Sequence, residues 1–202
     1  MIFNFHKNKL MFSYQHLKTA SYGNEYSYKN VDIKKLLKIY TDKDTTLSYV
    51  SIISQFNNKI YPVFDLDDQE KLDFFEELYI DRNYVIFSSS PDHYWAILDS
   101  QQKNVKYIFS DLNWNKCNDP KYVKFSKQYN LIRIRGIYDN LTRKPHIIKK
   151  NGILSENFSL FIKQLEDFYN NEGLKISATR YNDKNLIVLY NRKVKLEKLD
   201  TL

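Results

Sequence analysis

The residues of this chain best suited to chemistry close an apolar run, Tyr61-Pro-Val-Phe-Asp-Leu-Asp-Asp68. Side chains alternate between the faces of a strand, so Asp65 and Asp67 share a face with Val63, while Phe64 and Leu66 take the other. Two neighbouring carboxylates repel each other unless a cation lies between them. Hard oxygen ligands of this kind suit Mg²⁺ or Mn²⁺. The plainer reading is that the strand ends here and the acids cap the helix that follows.

A second group, Ser90-Pro-Asp-His93, lies between the apolar runs Tyr84–Phe87 and Tyr94–Leu98, which suits the connection of a hairpin. Beside a carboxylate strand, the imidazole of His93 can donate to a phosphate oxygen, its cationic form favoured by that anion. Alternatively His93 is an exposed loop residue and Ser-Pro is only turn chemistry. A third acid is offered by Asp119, in Asn118-Asp-Pro-Lys-Tyr122, or by Asp111 before Leu112. Either reads equally as a loop or cap acid. Asp119 is preferred because it follows a helix expected over Gln101–Trp114, from whose end it can reach the neighbouring strand. Arg133 and Arg135 share one face of the alternating stretch Leu131-Ile-Arg-Ile-Arg135 and can bind triphosphate or template phosphates. A solvated sheet face explains them as well, and the same holds for Lys144. His6, His16 and His146 form no metal-ligand spacing, and no Gly-x-x-x-x-Gly-Lys loop marks an ATPase.

The elements that must position these groups read as an α+β chain. Ile2–Phe5 can open a strand, and Ile33, Leu36, Leu37 and Tyr40 give Val31–Tyr40 a helical spacing. Thr45–Phe56 is apolar and β-branched without a clean period, so helix and strand both stay open. Asp68–Tyr79 reads as a helix with Asp68 as N-cap and a stripe of Leu72, Phe75, Leu78 and Tyr79. Val105, Ile108, Phe109 and Leu112 support the helix over Gln101–Trp114, and Leu131–Arg135 is the clearest strand. Residues 60 to 136 therefore run strand, helix, strand, strand, helix, strand. That is the split βαβ order of ferredoxin-like and RRM-like sheets. Beyond it, Ser155 opens a long amphipathic helix that Gly173 stops, and strands follow to residue 199.

Composition bounds the partners. The 202 residues suffice for one domain with a sizeable core, and no linker divides them. An apolar content of 43% excludes global disorder, and four Gly and four Pro exclude low-complexity linkers. The single Cys117 excludes an internal disulfide framework and a Cys-rich zinc site. No apolar run spans a membrane and no signal-peptide pattern opens the chain, so a soluble, cytoplasmic protein is expected. A net charge of +7, with 17 Tyr and 13 Phe, suits a partner with phosphates and stacking bases.

In order and spacing, Asp65-x-Asp67, Ser90-Pro-Asp-His93, a later acid and Ile132-Arg-Ile-Arg-Gly136 resemble the archaeo-eukaryotic primase superfamily, in its phage and plasmid primase-polymerase branch. Members carry an apolar strand ending in Asp-x-Asp or Asp-x-Glu, then Ser-x-x-His or Ser-x-His, then a third acid. A Leu-x-Arg-x-x-Gly segment often follows. The likeness covers roughly residues 58 to 146, and Asp119, between Asn118 and Pro120, departs from the family's apolar-acid-apolar context. The resemblance implies a primase-polymerase catalytic fold performing template-directed nucleotidyl transfer by a two-metal mechanism. It implies Asp65, Asp67 and Asp119 as ligands of Mg²⁺ or Mn²⁺. Ser90 and His93 resemble the pair that contacts the triphosphate, with Arg133 and Arg135 as further nucleotide-binding candidates. Single-stranded DNA template and nucleoside triphosphates are the implied partners, and unwinding falls to a separate helicase. Two other classes fit the same residues: a non-catalytic nucleic-acid-binding or replication-initiation protein, and a metal-dependent nuclease.

Overall fold

The computed structural model describes residues 9–16, 29–32, 47–90, 92–125, 130–133 and 145–171. In chain order these form β1 (Met11–His16), β2 (Lys29–Asp32), β3 (Leu47–Ile53), β4 (Gln55–Phe56), β5 (Lys59–Ile60) and β6 (Val63–Leu66). Helix α1 (Gln69–Leu78) precedes the pair β7 (Tyr84–Ser90) and β8 (His93–Leu98). Three short helices, α2 (Val105–Phe109), α3 (Leu112–Cys117) and α4 (Pro120–Phe125), lead to β9 (Leu131–Arg133), β10 (His146–Asn151) and α5 (Glu156–Asn171). The architecture is mixed α+β with antiparallel sheets, as the sequence implies.

One sheet has the order β2-β1-β3-β9 and the other β10-β7-β8-β6. Thr45–Phe56, open between helix and strand, is strand over most of its described length. The two-residue turn to β5 sits at Asn57 and Asn58, both at positive φ (49° and 62°), a conformation that asparagine tolerates. Val31 and Asp32, expected to open a helix, instead belong to β2, where Val31 pairs with Phe12 across the ladder. The rest of that helix, the strand at Ile2–Phe5, Gly173 and the closing strands to residue 199 lie outside the described residues.

Around the candidate site the local signals hold. Asp68 caps α1, its Oδ1 accepting from the Lys71 amide at 2.8 Å. Leu72, Phe75 and Tyr79 are buried, and Phe75 and Tyr79 pack on Phe64 at 4.9 and 5.2 Å between ring centroids. Leu78, expected on that stripe, is exposed, because it falls one step outside the arc that Leu72, Phe75 and Tyr79 share. Strand β8 returns between β6 and β7, so the chain's first and second strands here flank the third.

The fourth strand does not join them. Leu131–Arg133 is a strand, but it pairs with β3, Ile53 opposite Leu131 and Ser51 opposite Arg133. The outer edge of β6 is occupied otherwise: the Trp114 indole donates to the Val63 carbonyl at 2.8 Å, and the Asp65 amide donates to Asn118 Oδ1 at 2.7 Å. Side chains from the helical segment thus satisfy the groups that a neighbouring strand would have paired. That segment is also not the single helix expected over Gln101–Trp114. Asn104 caps α2 through the Lys106 amide and Asp111 caps α3 through the Asn113 amide, so a second start signal interrupts the run. Leu112, at the helical spacing of Val105, Ile108 and Phe109, is 74% exposed, and the buried Trp114 anchors α3.

Helix α5 joins the two sheets through aromatic contacts. Phe168 meets Phe12 at 5.1 Å, Phe161 meets Tyr61 at 5.3 Å and Phe56 at 5.6 Å, and Tyr169 meets Trp95 at 6.3 Å. Ser155, expected to open this helix, directly precedes it, and its hydroxyl donates to Asp99 at 2.8 Å. Polar links reinforce the junction: Asn130 Nδ2 and Ser54 Oγ both donate to the Tyr61 carbonyl, at 2.7 and 2.6 Å.

Burial in this core pushes the Tyr61 hydroxyl up to about 12, although the hydrogen bond from Asn157 works the other way. It pushes the Cys117 thiol up to about 11 and raises Tyr79 and Tyr169 as well. Folded values above the unfolded ones mean that folding favours the protonated forms. The resulting stability is fully present below about pH 9 and is lost as pH climbs through the folded values. The thermal midpoint, followed by circular dichroism, is therefore expected to fall progressively from about pH 9 to 12. A flat midpoint over that range would contradict the burial of these groups.

Candidate functional site

Asp65 and Asp67 emerge at the carboxyl end of β6 on one face, as alternation requires. They differ in surroundings. Asp65 is buried, 4% exposed, among Val63 and the cross-strand neighbour Trp95, which stacks on Phe87. Asp67, one residue past the strand, is a third exposed. The register Asp65 opposite Trp95 and Leu66 opposite Tyr94, carried one step further, sets Asp67 against His93. There His93 Nδ1 lies 3.9 Å from Asp67 Oδ1, within ion-pair range and longer than a hydrogen bond.

Ser90 completes the row on the far side. It ends β7 with His93 as its ladder partner, after an irregularity between Ser88 and Ser90 that shifts the register. The hairpin turn itself uses Asp92 at φ 59°, a left-handed position that aspartate accepts more readily than most residues. Three adjacent strands therefore bring Asp67, His93 and Ser90 to one end of the sheet.

The two candidate third acids have different places. Trp114 is tied to Val63 and Asn118 to Asp65, so residues 114 to 118 run alongside β6 in the same direction. Asp119 follows next to the Asp65–Asp67 stretch. Asp111 starts α3 at the other end of that run; its charge adds to burial in raising the Tyr79 hydroxyl and the Cys117 thiol. Both act as helix caps: Asp111 Oδ1 accepts from the Asn113 amide at 2.8 Å and Asp119 Oδ1 from the Tyr122 amide at 3.3 Å. Pro120 at the first helical position suits the second cap. Among the described residues, no three His, Cys, Asp or Glu side chains are gathered closely enough to hold a metal ion. Asp65 and Asp67, two hard oxygen donors following one another at the end of β6, suit a divalent ion, and Asp119 would have to turn from its cap to join them.

Arg133 is not brought to this end. Its strand belongs to the other sheet and runs away from the junction at Asn130. Arg135, Gly136 and Lys144 lie outside the described residues. The residue that sequence reasoning missed is Asn118. It is buried, accepts from the Asp65 amide, and donates through Nδ2 to the Trp114 carbonyl at 2.7 Å. An asparagine before Asp-Pro reads as turn chemistry, and nothing local announces a partner 53 residues away.

Compared with protein-family models, with curated proteins and with solved structures, the chain matches none. No helix among the described residues is long and apolar enough to cross a membrane.

Proposed function

We propose that the chain is a cytoplasmic nucleotidyltransferase of the primase-polymerase type, built as a single domain. Nucleoside triphosphates and a single-stranded DNA template are its substrates, Mg²⁺ or Mn²⁺ its cofactor, and a separate helicase its partner. One observation carries the reading: β8 lies between β6 and β7, and the acid of one motif, Asp67, faces the histidine of the next, His93. Motifs 25 residues apart in sequence, at the spacing of the resemblance, meet at one sheet end. The net charge of +7 agrees with a polyanionic substrate.

A second reading, a nucleic-acid-binding protein without catalysis, is favoured by the capping roles of Asp111 and Asp119. Binding separates the two. A ligand taken up by the folded state raises its midpoint by mass action, so a nucleoside triphosphate with Mn²⁺ is expected to raise the thermal midpoint of the full chain. Retention of labelled single-stranded DNA with no such rise supports the second reading. Cleavage of that DNA in Mn²⁺ would favour a nuclease over both.

A further inference from the structure

The pairing of Asp67 with His93 gives the acid a role that the primase-type reading does not assign. His93 opens β8 and Asp67 directly follows β6, one step beyond the Leu66–Tyr94 rung, so strand register brings them together. His93 Nδ1 is shielded from solvent and makes no hydrogen bond among the described residues; Asp67 Oδ1 lies 3.9 Å away. The side chain as a whole is 40% exposed while Nδ1 is not, so its exposure lies in the rest of the side chain. An imidazole whose inner nitrogen faces a carboxylate keeps its proton there, and the acid fixes both ring orientation and tautomer.

We infer that Asp67 is a positioning residue for His93, holding Nδ1–H inward and turning Nε2 towards the bound nucleotide, where the imidazolium that a phosphate favours donates to it. The phosphate contact rests on the proposed nucleotidyltransferase reading; the positioning of the ring does not. Two measurements keep them apart. Long-range ¹H–¹⁵N correlation of the histidine rings at about pH 8.5, where imidazole is neutral, reads the tautomer directly. His93→Gln assigns the signal. Wild type is expected to show Nδ1–H at His93 and Asp67→Ala to revert to Nε2–H. An Nε2–H ring in the wild type, or one unchanged by Asp67→Ala, overturns the positioning role.

The second measurement is ATP affinity of the full chain in EDTA, where ion binding plays no part. Asp67→Ala and His93→Ala are each expected to weaken ATP by about tenfold, the scale of one charge-assisted hydrogen bond, and the double variant no further. An acid that serves only an ion, or only repels phosphate, would leave ATP unchanged or bound more tightly in Asp67→Ala. That result, or additive losses, overturns the phosphate role. Absence of ATP binding in every protein, with the tautomer as expected, overturns the nucleotide reading and leaves the positioning of His93 standing.

Discussion

Replacing Asp65 and Asp67 together by alanine is expected to abolish nucleotide incorporation, by at least about 10³-fold, while leaving the fold intact. The size follows from what such carboxylates would hold: a divalent ion would stabilise charge on a transferring phosphoryl group by several kcal/mol, and each 1.4 kcal/mol is about tenfold in rate. The fold is expected to survive for two separate reasons. Asp67 is a third exposed and caps nothing among the described contacts, so its removal falls within about 0.5 kcal/mol. Asp65 is buried, but its structural anchor is the backbone amide that donates to Asn118, and that amide is kept in alanine. Initial rates of incorporation with thermal midpoints on the same samples check both halves. Full residual activity in a folded double variant would remove both acids from the chemistry.

The second large effect is expected at Asn118. Its amide group accepts from the Asp65 amide and donates to the Trp114 carbonyl, both in the interior. Alanine leaves the Asp65 amide without its partner, while the Trp114 carbonyl keeps the Asn118 backbone amide, so a loss of about 1–3 kcal/mol is expected in urea unfolding. Asn118→Asp is expected to be no better. It keeps an acceptor for Asp65 but turns an oxygen towards the Trp114 carbonyl, and it adds a charge next to a buried acid. Because Asn118 ties the segment before Asp119 to β6, incorporation is expected to fall in both variants even below their unfolding temperatures. An unfolding midpoint within 0.5 kcal/mol of wild type in Asn118→Ala would show that the edge of β6 is held by other means.

What the sequence made legible around the site is local. The spacing of Leu72, Phe75 and Tyr79 after Asp68 is enough to define α1 and its cap, because both depend on residues within two turns. The hairpin β7–β8 was likewise readable, from two apolar runs around Ser-Pro-Asp. Two acids on one face of β6 followed from alternation alone. Pairing across distance was not readable. Leu131–Arg133 has the alternation of a strand wherever it docks, and only the side chains of Trp114 and Asn118 on the β6 edge decide against that neighbour. The break between α2 and α3 was hidden because Val105, Ile108, Phe109 and Leu112 keep a helical spacing across it. The doubt over the third acid had a similar origin. Asp111 and Asp119 look alike in sequence, and their different ends of α3 appear only once Trp114 and Asn118 are fixed to β6.

Buried chemistry was the least accessible part. No pattern distinguished Asp65 from Asp67, yet strand register places one beside Trp95 in the interior and the other against His93 at the rim. The two carboxylates of a single Asp-x-Asp motif thus meet different surroundings, and their single variants are expected to behave differently in the absence of metal.

The most direct test is extension of a labelled primer on a single-stranded DNA template by the purified full chain, with nucleoside triphosphates and Mn²⁺. Wild type is expected to lengthen the primer by template-directed additions, and the Asp65→Ala, Asp67→Ala double variant to leave it unchanged. Retained template with no extension by wild type, or equal extension by both proteins, would contradict a nucleotidyltransferase centred on Asp65 and Asp67.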